Sequence, residues 1–576
     1  MNKLSLRCRF IVLSLFLAIA TFGLSRADVK MPAIFGDHMV LQQNIKIPVW
    51  GWADPGEAVA VALGDNTAKT TADGGGKWRV DLQPVKDTAT PFTLTVKGKN
   101  TLTFSDVLIG DVWVCSGQSN MEFDLAGNMG TYKGFGGATN AAAAVPAAND
   151  PQLRLFIVAK TIALQPKPDV VGNWQVCTPD TAAQFSAVGY FFGQELRHSL
   201  NRPIGLIGTY WGGMPAQAFT SLSGLQKDPP FTNYVSAYQK IADDYPKAQQ
   251  DYPTVLASYQ QDLKKWNETV APAYNAALKQ WQDAVAQATA SGQPAPPKPV
   301  PPTPMPKHPV GPEGPASNPT VLFNGMVAPL IPYAITGVIW YQGEANGNKG
   351  VEYAMLFPRM ITDWREKWAQ GDFPFLYVEL AAFGKPQTVP AEYNGWAFLR
   401  DAQLKTLSLP NTGMASAVDI GNPKDIHPKD KLDVGLRLAL AAKHVAYKEK
   451  LVYSGPLYDS MKVEGNKIRV SFKEVGGGLQ MGTPPWTPDG VTPPAPTELT
   501  GFAIAGADQK WTWAKARIDG NTVVVSSDDV TSPVAVRFGW GACPSINLYN
   551  KEGLPASPFR TDNWPPVQPP PAPPKP

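Results

Sequence analysis

Five histidines in 576 residues narrow the search for a general base. His38 lies in β-like sequence, His308 in a Pro-rich run, His198 at a helix end and His444 on a helix among apolar neighbours. His427 differs. It follows Asp425-Ile426, precedes Pro428 and occupies a loop feeding a helix that starts near Leu432. An imidazole in a loop, with a carboxylate two residues away, has the make-up of a general base. The nucleophile to match it is Ser119, which follows the apolar strand Val112-Trp113-Val114, with Gly117 letting the chain turn sharply. A serine raised on such a turn exposes its hydroxyl, and backbone amides after the strand can hold an oxyanion. Met121 stands where a Gly-x-Ser-x-Gly elbow would have its last glycine, so Ser116 and Cys115 stay open as alternatives. Cys115 reads as the last buried residue of the strand, where apolar surroundings raise a thiol pKa.

Other chemistries find little support. There is no His-Glu-x-x-His, no Cys-x-x-Cys and no histidine cluster at ligand spacing, so no metal is expected. Gly74-Gly75-Gly76 and Gly476-Gly477-Gly478 lie in β-like sequence ahead of no helix, and read as turns rather than phosphate loops. No organic cofactor is implied.

The elements that must carry Ser119 and His427 read as an α/β core. Strands are predicted at Val112-Trp113-Val114, Ile204 to Ile207, Gly337 to Trp340 and Phe375 to Val378. Helices are predicted over Gln184 to Leu200, Ala354 to Trp368, Gly395 to Leu407 and Leu432 to Tyr447. Strands alternating with helices predict a parallel sheet with helices on both faces. From Asp228 to Gly292, aromatic and apolar residues at helical spacing predict an inserted hairpin. The Pro-rich run Pro294 to Pro319 follows, as linker or cover, and the whole insertion could overhang the cleft. Period-two runs such as Ala58-Val59-Ala60-Val61 before the core, and Thr522-Val523-Val524-Val525 after it, predict small β-sandwich modules.

Composition agrees with a multi-domain protein rich in turns. Gly and Pro number 51 and 57, and hydrophobic residues make up 44%. Lys3, Arg7 and Arg9, an apolar run Phe10 to Leu24 and Ser25-Arg26-Ala27 read as a cleaved secretory signal, so a secreted or periplasmic protein is expected. Taking Lys3, Arg7, Arg9 and Arg26 from 51 basic residues leaves 47 against 48 acidic ones, a charge that suits neither nucleic acid nor an anionic membrane. Three cysteines remain, and a Cys115–Cys177 bridge is one possibility.

Several segments occur in a telling order: Val112-Trp113-Val114-Cys115-Ser116-Gly117-Gln118-Ser119-Asn120-Met121, Trp211-Gly212-Gly213, Ile339-Trp340-Tyr341-Gln342-Gly343-Glu344 and Asp425-Ile426-His427-Pro428. Together they resemble the sialate O-acetylesterase family, within the wider SGNH-type hydrolases. Phe35-Gly36-Asp37-His38-Met39-Val40-Leu41-Gln42 belongs to the same likeness, which covers most of the chain but not the helical and Pro-rich insertion. The resemblance implies Ser119 as nucleophile and His427 as general base. It implies an oxyanion hole from the Ser119 amide, the Gly212 or Gly213 amide and the Gln342 side chain. Glu344, Arg400, Gln403 and Trp211 would line the cleft or brace it. The wider superfamily has Asp-x-x-His, but Lys424 stands three residues before His427. Asp425 is therefore the nominated acid, with Asp419 or an acid-free dyad left open.

The expected architecture is an SGNH-like α/β core at 107–450 with the insertion at about 225–319, β-sandwich modules at 28–106 and 451–564, a signal peptide at 1–27 and a Pro-rich tail at 565–576. The expected activity is removal of O-acetyl groups from sugars, foremost from sialic acid. A sialic acid carboxylate asks for a cation such as Arg400. Acetylated xylan or pectin would favour aromatic platforms such as Trp211, Trp340 and Tyr341. A catalytically dead carbohydrate-binding protein is the reading from another class.

Overall fold

The structure, a computed structural model, describes residues 28–565 except 87, 128–135, 392–394, 486, 488–489 and 492. The expected signal segment and all but the first residue of the expected tail lie outside the described residues. At the centre is a sheet of seven strands: β1 (Thr101–Gly117), β2 (Asp150–Ile157), β3 (Trp174–Cys177), β4 (Ile204–Tyr210), β5 (Gly337–Tyr341), β6 (Phe375–Glu379) and β7 (Thr412–Ser416). Their order is β7-β6-β5-β1-β4-β2-β3, parallel throughout except for the antiparallel edge strand β3.

These strands are apolar on both sides because helices cover both faces. Phe375 and Tyr377 of β6 meet α5 (Gly350–Trp368) through Trp364 and Phe357, at ring distances of 6.0 and 5.0 Å. On the opposite face, Trp113 of β1 packs edge-on against Phe192 of α2 (Ala187–Leu200), and α7 (Lys431–Val445) lies alongside α2. Between β6 and β7 runs α6 (Gly395–Thr406).

Strand β1 is 17 residues long and belongs to two neighbourhoods. Its first half pairs with Val40–Gln42 and Thr88–Lys97, and its second half is the centre of the core sheet. Asp106, where the first module was expected to end, therefore falls inside one continuous strand. Past α7, antiparallel strands form two four-stranded sheets around Ile468, Val470, Phe502, Val523 and Phe538. The insertion contains α3 (Thr232–Thr269) and α4 (Ala271–Ala290). Trp266 and Trp281 donate their indole N–H to Thr303 O and Pro296 O, both at 2.8 Å, which fastens the Pro-rich run against the hairpin. All three described cysteines are free and buried, so the bridge considered between Cys115 and Cys177 is not formed. Cys115 faces α2 from the middle of the sheet.

Candidate active site

The site forms where three neighbouring strands end in register. Gly117 is aligned with Tyr210 on one side and Tyr341 on the other, so the segments beginning at Gln118, Trp211 and Gln342 leave the sheet side by side. The carboxyl ends of parallel strands are the usual location of a ligand crevice. The turn out of β1 is tight: Gly117 has φ +134°, and a Cβ there would lie 2.2 Å from Tyr341 O. Gln118 N–H is spent on that same carbonyl at 2.9 Å, and Ser119 opens the short helix α1 (Ser119–Glu122).

Ser119 and His427 share one open cleft of about 480 Å³, lined also by Lys160, Trp211, Gly213 and Glu344. The loop after β7 brings His427 there from more than 300 residues downstream. Its anchor is Asn120, whose side-chain amide donates to Ile426 O at 3.0 Å and to Glu344 Oε1 at 2.5 Å. Asp425 folds back beside His427 because the turn from Asn422 reverses the chain, with Asp425 N–H donating to Asn422 O. One oxygen, Oδ1, accepts from the His427 amide at 2.9 Å and lies 3.4 Å from the ring Nδ1. Burial, then the positive charge of Lys431, hold the His427 imidazole below its ordinary value, against the pull of Asp425. An imidazole kept neutral in this way can accept a proton.

Asp419, the alternative acid, is committed elsewhere: Arg437 grips both its oxygens at 2.7 and 2.9 Å. Cys115 and Ser116 are wholly buried, with burial pushing the Cys115 thiol up and Ser116 Oγ donating to Thr209 O. Neither lines the cleft.

Four expected site residues have their polar groups bonded within the protein. Gln342 is fully buried: its amide donates to Asn346 Oδ1 at 2.7 Å and Met214 O at 3.3 Å, while Tyr353 donates to its oxygen. With both amide protons committed, it braces the turn after β5 rather than facing the cleft. Gly212 lines the cleft, but its N–H donates to Glu122 Oε2 at 2.5 Å. Arg400 was expected near substrate, yet it is completely buried and donates to four backbone carbonyls, of Leu380, Ala381, Gly541 and Ala542. Those carbonyls belong to the loop after β6 and to the C-terminal strands' connection, so the guanidinium pins two parts of the molecule together. Gln403 is likewise internal, bonded to Val378 O, Gln342 O and Leu380 N–H.

Lys160, which the sequence did not single out, also lines the cleft, with Glu122 behind it. Glu122 Oε1 pairs with Lys160 at 2.5 Å, and the Lys160 ammonium stands 5.5 Å over the Trp211 ring. Glu122 follows Ser119 by three residues, the spacing that shares a helix face, which is the only hint the chain offers. None of residues 225–319 lines this cleft.

A family profile described as "Carbohydrate esterase, sialic acid-specific acetylesterase" matches residues 322–445, the stretch from ahead of β5 to the end of α7. The sialate O-acetylesterase of Rattus norvegicus is 30% identical over 464 residues, covering 74% of this chain and 76% of its own. The chain belongs to the sialate O-acetylesterase family. It is thus a carboxylic ester hydrolase. The Homo sapiens sialate O-acetylesterase is 28% identical over 480 residues, covering 76% of this family member and 75% of its own length. A solved carbohydrate acetylesterase from Xanthomonas citri is similar over 93% of this chain and 100% of its own, with a TM-score of 0.71 and 36% identity. The solved likeness extends across the strands flanking the core as well as the core itself.

Proposed function

We propose that this protein removes O-acetyl groups from sugars by the serine esterase route of an SGNH-type hydrolase. Ser119 Oγ attacks the acetyl carbonyl while His427 takes its proton, and Asp425 orients the ring. The amides of Ser119 and Gly213 receive the oxyanion. His427 returns the proton to the departing sugar oxygen, leaving acetyl-Ser119. A water deprotonated by His427 then attacks the acetyl group and releases acetate. The observation that carries this reading is that Ser119 and His427 line one cleft, with the His427 loop bonded to the residue next to Ser119.

A second reading concerns the sugar. The relatives' names point to sialic acid, but Arg400 is spent on carbonyls, and the cleft-lining Lys160 is paired with Glu122. Trp211 instead offers a ring at the cleft wall. This favours a neutral acetylated sugar, as in plant polysaccharide fragments. Acetate release across acetylated sialosides, xylo-oligosaccharides and pectin fragments separates the two, with Ser119→Ala as control. Equal turnover by wild type and Ser119→Ala would remove Ser119 as the nucleophile, whereas no acetate from any of these substrates would leave the binding-protein reading. The segment 1–27 is proposed as an export signal and the flanking strands as β-sandwich modules; among the described residues no helix is long and apolar enough to cross a membrane.

A further inference from the structure

Lys431, the first residue of α7, is completely buried beside the site, yet the acyl-transfer steps make no use of it. Burying an ammonium is costly unless it is matched by close partners. Its Nζ donates to Asn120 Oδ1 at 2.5 Å and stands over the rings of Phe123 and Tyr341 at 5.0 and 5.4 Å. Asn120 thereby holds three segments at once: Lys431 through its oxygen, and Glu344 Oε1 and Ile426 O through its amide. Ser119 and His427 are the immediate neighbours of the joined positions 120 and 426.

We propose that Lys431 is a positioning residue, tying the His427 loop to the Ser119 turn through Asn120 and setting a buried cation beside that loop. The inference rests on the reading of His427 as the base. The charged groups facing Lys431 are Glu344 from the turn after β5, Asp425 from the His427 loop and Asp430 at the cap of α7. Those facing His427 are Lys431 and Asp425. Across the cleft, Lys160 and Glu122 are paired with each other. Burial brings Lys431 down to about 7, and its positive charge in turn holds the His427 imidazole below its ordinary value, so the two groups are linked on the acid side of neutrality.

Lys431→Gln keeps a side-chain amide for Asn120 and removes the charge. Two readouts test it: the acid limb of kcat/KM with p-nitrophenyl acetate, and the NMR titration of the His427 ring, identified by its disappearance in His427→Gln. Both shift to higher pH in Lys431→Gln, while Lys431→Arg retains the wild-type titration. The loss of kcat/KM is about tenfold on the acid limb and shrinks as the pH rises past neutrality. A folded Lys431→Gln protein whose ring titration and acid limb both match wild type overturns the proposal. Should that variant fail to fold, Lys431→Met fills the slot between the two rings and carries the same test. Ser119→Ala keeps the outcomes apart: an active Ser119→Ala protein sinks the nucleophile assignment, whereas the ring titration still reports on Lys431.

Discussion

Asp425 holds His427 with a single oxygen, shared between the backbone amide and the ring, which is a narrower grip than two separate bonds would give. Replacing it by asparagine removes the charge that favours the imidazolium while keeping an acceptor for the amide. Asp425→Asn is expected to lower kcat by about 10²–10⁴-fold with a much smaller change in KM. Steady-state kinetics on p-nitrophenyl acetate check it, and an unchanged kcat would remove Asp425 from the triad. With five histidines, the sequence picks out His427 by its loop and its carboxylate neighbour, and the structure brings that residue to the cleft lined by Ser119. The buried bonds of Arg400 and Gln342 were not legible, for one reason. A charged or amide side chain in a motif reads alike whether it faces a ligand or buried carbonyls, and only the burial of its surroundings decides.

At the scale of elements, the site is a consequence of strand register. Because Tyr210, Gly117 and Tyr341 are aligned, three loops emerge together, and a small error in one strand's exit moves its loop away from the others. Gly117→Ala tests this. The added methyl would meet Tyr341 O at 2.2 Å, at a φ of +134° that other residues avoid. We expect a loss of about 2 kcal/mol or more in thermal unfolding, with kcat falling at least tenfold in the protein that remains folded. Wild-type activity and stability would contradict the register account. The apolar runs made β1, β4, β5 and β6 readable, and the 3.6-residue spacing of Tyr353, Phe357, Met360 and Trp364 did the same for α5. Less readable was that β1 runs on from the first module into the core. Alternating and continuous apolar patterns look like separate strands, although one chain of backbone pairing unites them.

At the scale of the molecule, the core is fastened to its flanking strands by buried polar groups. Glu379, at the end of β6, accepts from Ser416 and Ser557 at 2.6 and 2.5 Å, the second reaching from the C-terminal strands. Burial pushes its carboxyl up to about 7, so the folded state binds a proton that the unfolded chain has already released. Stability therefore declines as pH rises from about 4.5 to about 7 and then levels off. Glu379→Gln is expected to be more stable than wild type at pH 8, by on the order of 1–3 kcal/mol, and to lose that advantage near pH 4.5. Denaturant unfolding at the two values checks the sign, and a pH-independent difference would contradict it. Contacts of this range join residues 178 positions apart and leave no local signature in the sequence. The central claim is that these long-range contacts deliver a nucleophilic serine to a base. Rapid acid quench of the enzyme with p-nitrophenyl acetate, followed by mass analysis of its peptides, tests it most directly. One acetyl group on the peptide carrying Ser119 in the quenched wild-type enzyme, formed far more slowly in His427→Ala and absent in Ser119→Ala, is the predicted result. An acetyl group found on another residue, or acetate released at the wild-type rate by Ser119→Ala, would contradict the account.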